Sequence, residues 1–146
     1  MSEDILDILG VAFKAYEDED YQKALEYFKK AAEWGDAGAY GRLGIMYYHG
    51  QGVAKDDQQA LEYFKKAAGM GNARACYNLG VMYADGYGVA KDDQQALEYY
   101  KKAADMGNAR AYNNLGIMCK NGKGVEKDLQ KAEEYFKKAR ELGYEG

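Results

Sequence analysis

Ala54-Lys55-Asp56-Asp57-Gln58-Gln59-Ala60-Leu61-Glu62-Tyr63 recurs letter for letter as residues 90–99, and the shift of 36 residues between the copies decides the fold. Working outward from that block, Leu43-Gly44, Leu79-Gly80 and Leu115-Gly116 keep the same spacing, as do Gly50/Gly52, Gly86/Gly88 and Gly122/Gly124. Ala24, Ala60, Ala96 and Ala132 extend the period to the first part of the chain. A fixed period of this length is the signature of a stacked repeat array in which each unit buries its apolar face against its neighbours. Four units follow, at about residues 3–35, 36–71, 72–107 and 108–143.

Each unit carries two apolar stripes at helical spacing separated by glycine punctuation, which is a helical hairpin. In the second unit Ala39, Tyr40, Leu43, Met46 and Tyr47 form one face of a helix A, with Asp36 as N-cap and Gly50 just past its end. Asp56 or Asp57 then caps a helix B whose stripe is Ala60, Tyr63, Phe64, Ala67 and Ala68, closed by Gly71. Asn72 and Asn108 are placed to cap the next A helices with almost no linker. Gly44, Gly80 and Gly116 lie inside A helices, where glycine costs about 1 kcal/mol relative to alanine, so close A–B packing must offset it. The flat partner for that approach is Ala60 with its equivalents, and tyrosine and phenylalanine fill wider gaps between units. The loop from Gly10 to Ala24 reads as two residues shorter than that from Gly44 to Ala60. In the last unit Glu133 and Arg140 replace Leu97 and Ala104, as expected of a water-facing cap, and the array reads as complete. The fold class is all-α, a right-handed superhelix of four antiparallel helix pairs forming a single domain over residues 1–146.

The pattern A-x-x-x-L-G-x-x-Y-x-x-G-x-G-V-x-x-D-x-x-x-A-x-x-Y-x-x-A-A-x-x-G, read from Ala75 to Gly107, resembles the Sel-like repeat family, and the resemblance covers Asp36 to Gly143. The first unit, with Tyr21-Gln22-Lys23-Ala24-Leu25-Glu26-Tyr27-Phe28, is more similar to a tetratricopeptide repeat. The resemblance implies a right-handed superhelix whose A helices line a concave groove, and a scaffold or adaptor role. Secreted cysteine-rich members of the family staple A to B. Cys76 falls on the helix-A position of that staple, but Ala104 stands where its partner belongs, so the implied disulfide is lost here. Cys76 and Cys119 lie in successive A helices about two turns out of register, and both read as reduced thiols.

If helix A faces a groove, the groove residues are Arg42 and Tyr48 in the second unit, Arg74, Tyr77 and Asn78 in the third, and Arg110, Asn113, Asn114 and Lys120 in the fourth. Their chemistry suits a protein or peptide ligand, because a carboxamide both donates to and accepts from a peptide bond and an arginine meets carboxylates. The asparagine positions are similar to those that hold peptide backbone in tetratricopeptide domains, whereas the lysine-rich carboxylate clamp of the chaperone-binding subset is not reproduced. A second reading is an engineered or consensus-like array without a natural ligand, which the verbatim block and the lack of Pro and Thr equally suit.

Other chemistry is thin. The 24 acids and 20 bases are mixed along the chain, so no basic patch points to nucleic acid. No apolar run approaches the length of a membrane span, and the start of the chain lacks a basic signal region. The chain as given reads as a cytoplasmic monomer, with a secreted or periplasmic origin open if a signal peptide was removed. Ser2 is the sole serine and His49 the sole histidine, so serine nucleophiles, metal clusters, cofactors and an enzyme reading are not expected. Family relatives linked to β-lactams do not change this, because Ser-x-x-Lys is missing. The Gly50-Gln51-Gly52 loop and its copies lack the strand and Lys-Ser/Thr of a phosphate loop and read as helix C-caps with a buried valine anchor. Met46, Met82 and Met118 read as packing. Glu26–Lys30, Glu62–Lys66 and Glu98–Lys102 are spaced as helix-stabilising ion pairs.

Overall fold

The computed structural model describes residues 4–146, so the start of the first repeat at residue 3 lies outside it. The described residues form eight helices: α1 (Ile5–Glu17), α2 (Tyr21–Glu33), α3 (Ala37–His49), α4 (Asp57–Gly69), α5 (Ala73–Asp85), α6 (Asp93–Asp105), α7 (Ala109–Asn121) and α8 (Leu129–Glu141). The fold is all-α and built from antiparallel pairs, with odd-numbered helices as A and even-numbered helices as B. They pack as two compact units, one ending at Asn72 and the other spanning Ala73–Gly146, each holding two helix pairs.

Local chemistry sets the helix ends. Asp36 and Asn108 accept hydrogen bonds from the Ala39 and Ala111 N–H groups at 2.8 and 2.9 Å, the N-caps expected of them. Asp56, not Asp57, caps α4 through the Gln59 N–H, and Asp57 is the first helical residue. Gly71, with φ +89°, follows α4 in the left-handed conformation, and its N–H and that of Asn72 bond to the carbonyls of Ala68 and Ala67. That pattern is a Schellman closure, which satisfies the last carbonyls of a helix. It recurs at Asp36 and Asn108, whose N–H groups bond to Ala31 and Ala103. One residue therefore ends helix B and starts helix A.

The core of each pair is apolar, with Leu43, Leu79 and Leu115 at most 1 % exposed. Burying each such side chain stabilises the fold by roughly 1.5–3 kcal/mol. Met46, Met82 and Met118 are buried with them, as read from their shared position. The mid-helix glycines meet a different partner from the one expected. A Cβ on Gly44, Gly80 or Gly116 would stand 2.6 Å from the ring of Phe64, Tyr100 or Phe136, so the glycine seats an aromatic face and not Ala60 or its equivalents. An alanine is too small to fill the space between two helices at that level; a ring lying flat on a bare backbone fills it.

Several other expectations are corrected. Gly10 has nothing within 4 Å of an added Cβ, and Phe13 rests edge-on against Phe28 at 5.1 Å, so Ala12-Phe13 hold the place taken by Leu43-Gly44. The first A–B connection is correspondingly residues 18–20, against residues 50–56 in the second repeat. The ammonium groups of Lys30, Lys66 and Lys102 lie over the rings of Tyr27, Tyr40 and Tyr99 at 4.4, 5.2 and 5.3 Å instead of meeting Glu26, Glu62 and Glu98. An ammonium over a ring face keeps its hydration on one side while gaining the ring quadrupole. Tyr40–Tyr63, Tyr83–Tyr99 and Tyr112–Tyr135 pair across A and B of one repeat, not between repeats. Val53, Val89 and Val125 are half-buried and not fully buried anchors. Glu133 and Arg140 are exposed and 3.4 Å apart, whereas Leu97 and Ala104 are buried.

Candidate functional site

Helical spacing puts Arg110, Asn113, Asn114 and Ile117 on one face of α7, while Ala111, Leu115, Met118 and Cys119 are buried on another. On α5 the corresponding face holds Arg74, Tyr77, Asn78 and Val81 opposite buried Ala75, Cys76, Leu79 and Met82. Between these faces, in the unit Ala73–Gly146, lies an open cleft of about 370 Å³. Tyr77 and Val81 form one apolar wall and Ile117 the other, and Asn114 supplies the carboxamide. Asp85 and Asp93 with Lys91 and Lys123 place both signs of charge around the opening.

The deepest polar group is the Tyr100 hydroxyl. Gly80 lets the Tyr100 ring approach α5, the ring is 4 % exposed, and its centroid lies 5.7 Å from that of Tyr77. Burial pushes its pKa up to about 12, with the polar Asn114 side chain pulling the other way and Tyr77 and Asp85 adding to the rise. The hydroxyl thus stays protonated at neutral pH, and Asn114 lines the same cleft. Sequence reasoning missed Tyr100. The signal was present, because the verbatim block ends at Tyr63 and Tyr99 and the next residues differ, Phe64 against Tyr100.

The segment after α8 forms a second recess of about 600 Å³ on the same unit, lined by Tyr77, Ala109 and Arg110 together with Leu142–Gly146. Asn113 Nδ2 donates to the Tyr144 hydroxyl at 3.4 Å. Tyr144 was also missed, although it stands 36 residues after Asn108, where the repeat otherwise places a capping residue. Of the predicted residues, Tyr77 lines both recesses, Asn114 the cleft, and Arg110 the second recess. Asn78 is half-buried on α5, and Arg74 and Lys120 are exposed.

Arg42 and Tyr48 belong to the other unit. The Arg42 guanidinium stacks over Phe13 at 5.1 Å and Tyr16 at 5.8 Å, and the Tyr16 hydroxyl donates to Gln51 at 3.1 Å. Arg42 thereby covers the ring that replaces the mid-helix glycine in the first repeat. Tyr48 carries the Lys55 ammonium 4.8 Å over its ring and meets the exposed His49 edge-on at 5.0 Å. Cys76 and Cys119 are both buried as free thiols, and burial pushes both above the usual range, which makes them unreactive. Among the described residues no group of three or more His, Cys, Asp or Glu side chains is placed to hold a metal ion. No helix among them is long and apolar enough to cross a membrane.

Compared with known proteins, four successive stretches of the chain, 15–36, 37–72, 73–108 and 109–144, each match the Sel1 repeat. The chain belongs to the Sel1 repeat family. The Sel-like resemblance read from the sequence is thereby established, and the first match begins at residue 15, which leaves most of α1 outside it. A Sel1 repeat protein from Oxalobacter formigenes superposes with a TM-score of 0.90 at 32 % identity over 97 % of this chain and 59 % of that one. The uropathogenic Escherichia coli protein c5321, described as a protective antigen with this fold, gives 0.92 at 33 % identity over 97 % and 31 %. HcpE of Helicobacter pylori, which carries a provisional β-lactamase name, is 50 % identical over 48 residues, 33 % of this chain and 14 % of its own length. The Sel1 chain described here thus spans less than two thirds of each of these relatives. Sel1 repeat proteins generally act as protein-interaction scaffolds.

Proposed function

We propose that the chain is a peptide-binding adaptor and that the cleft between α5 and α7 takes an extended segment of a partner protein. The observation that carries this is the cleft itself, in which the Asn114 carboxamide lies beside the buried Tyr100 between apolar walls of Val81 and Ile117. A carboxamide on the wall of a cleft can pair with both the N–H and the carbonyl of a peptide bond. Ile117 is 42 % exposed, an apolar contact waiting for a side chain. Asn78, Arg74, Arg110 and Lys120 then extend the polar rim along the same helix faces.

The test is selection of a displayed library of random ten-residue peptides on the full chain, followed by titration of the recovered peptides. Asn114→Ala and Ile117→Asp should each weaken binding by about tenfold or more, consistent with loss of one well-placed contact. Circular dichroism should report an unchanged fold. Equal affinity in both variants would remove the cleft from consideration.

A further inference from the structure

We infer that Leu142–Gly146 is an internal stand-in for the ligand, and that the α7 end of the groove takes a partner segment bearing an aromatic hydroxyl followed by a carboxylate. This rests on the peptide-binding reading above and says what chemistry that surface selects. Asp36, Asn72 and Asn108 each follow helix B by the same distance, and the short side chains of Asp36 and Asn108 cap the helix that comes next. Tyr144 occupies that place in the fourth repeat, where a phenol oxygen stands too far from its own backbone to cap anything. Its N–H still closes α8 on the Ala139 carbonyl at 3.0 Å, so the backbone follows the repeat rule while the side chain departs from it.

The departure has a destination. The Tyr144 hydroxyl accepts from Asn113 Nδ2 at 3.4 Å, and the ring is half-buried. Glu145 and Gly146 share a recess with Arg110 and Tyr77, two residues that sequence reasoning alone assigned to ligand binding. The Tyr144 hydroxyl therefore sits on a carboxamide, and Glu145 lines the same recess as an arginine and an aromatic ring, which are a donor and a platform for an aromatic–acid pair. A groove occupied by its own segment binds external peptide with an affinity reduced by the fraction of molecules that are open.

The experiment compares the full wild-type chain with Tyr144→Ala, using the same displayed ten-residue library on each. The variant should enrich peptides with Tyr or Trp followed within two positions by Asp or Glu. By fluorescence polarisation those peptides should bind the variant about tenfold more tightly than wild type. Adding Asn113→Ala or Arg110→Ala to the variant should reverse most of that gain. Tyr144→Phe, which keeps the ring and removes only the hydroxyl, should fall between wild type and Tyr144→Ala and serves if the alanine variant is poorly folded. Peptides that lack the aromatic–acid pair, or that bind wild type and both variants equally, overturn this inference while leaving the cleft reading intact. Recovery of no binding peptide on either chain overturns both.

Discussion

The second and third repeats begin helix B with the same ten residues and then diverge at Phe64 and Tyr100. Both rings press on a mid-helix glycine where an added Cβ would stand 2.6 Å from the ring, and both are buried. Only the third ring carries an oxygen, and it shares a cleft with Asn114 on the next A helix. The comparison teaches that a packing position turns into part of a recognition surface by gaining one atom, provided a partner waits at the far end of the ring. An unpaired hydroxyl at that depth costs roughly 1–3 kcal/mol.

The strongest way to break the comparison is to attack what the two repeats share. Gly44→Ala and Gly80→Ala should each destabilise the chain by about 2 kcal/mol in urea unfolding, because the ring has no room to retreat. Gly69→Ala, where an added methyl meets nothing within 4 Å, should instead stabilise by about 0.5–1 kcal/mol. If all three substitutions behave alike, helix propensity and not the glycine–ring seat governs these helices.

A smaller effect isolates what they do not share. Tyr100→Phe converts the third repeat to the second and should cost about 1 kcal/mol, the net worth of one hydrogen bond. In the same variant the side-chain NH₂ resonances of Asn114 should shift and broaden by NMR; unchanged resonances would mean that the hydroxyl does not hold the carboxamide.

The smallest effect appears only in alkali. An exposed tyrosine ionises near pH 10, whereas folded Tyr100 holds its proton to about pH 12. The folded state therefore binds the proton more tightly, and this contribution is fully present below about pH 10 and fades as pH rises through about 12. Thermal midpoints of wild type should fall more steeply than those of Tyr100→Phe across that window. Tyr63 and Tyr135, whose pKa values are also raised by burial, should leave a residual slope in the variant.

The architecture was legible because it is repeated. Three copies of Leu-Gly, Gly-x-Gly and the capping acid or amide average out local ambiguity, and helix ends at Asp36, Gly50 and Asn108 follow from side-chain and backbone hydrogen bonding alone. What failed were questions of what lies across from what. Spacing shows that Gly80 must be approached closely but not that a ring does so, since that depends on the rotation of helix B about its own axis. The register of α1 was misread for a related reason: Leu9-Gly10 imitates the repeat signature, while Phe13 packing on Phe28 decides the true alignment. In the site, the face of α7 was legible from its period, yet Tyr100 and Tyr144 were not, because each reaches it from a different element.

The residues shared between consecutive helices, Asp36 and Asn108, have a consequence for how such a chain changes length. Each serves as full stop and capital letter at once, with its N–H spent on the helix behind and its side chain on the helix ahead. One extra residue there would break both ends together, leaving two orphaned termini for a single insertion. The longer connections at 50–56 and 122–128 end on residues of the same kind, because the N–H groups of Asp56 and Asp128 bond to the Tyr47 and Cys119 carbonyls while their side chains cap α4 and α8. The chain is thus spliced rigidly at both edges, and the residue to leave untouched in either kind of connection is the one just before the next helix.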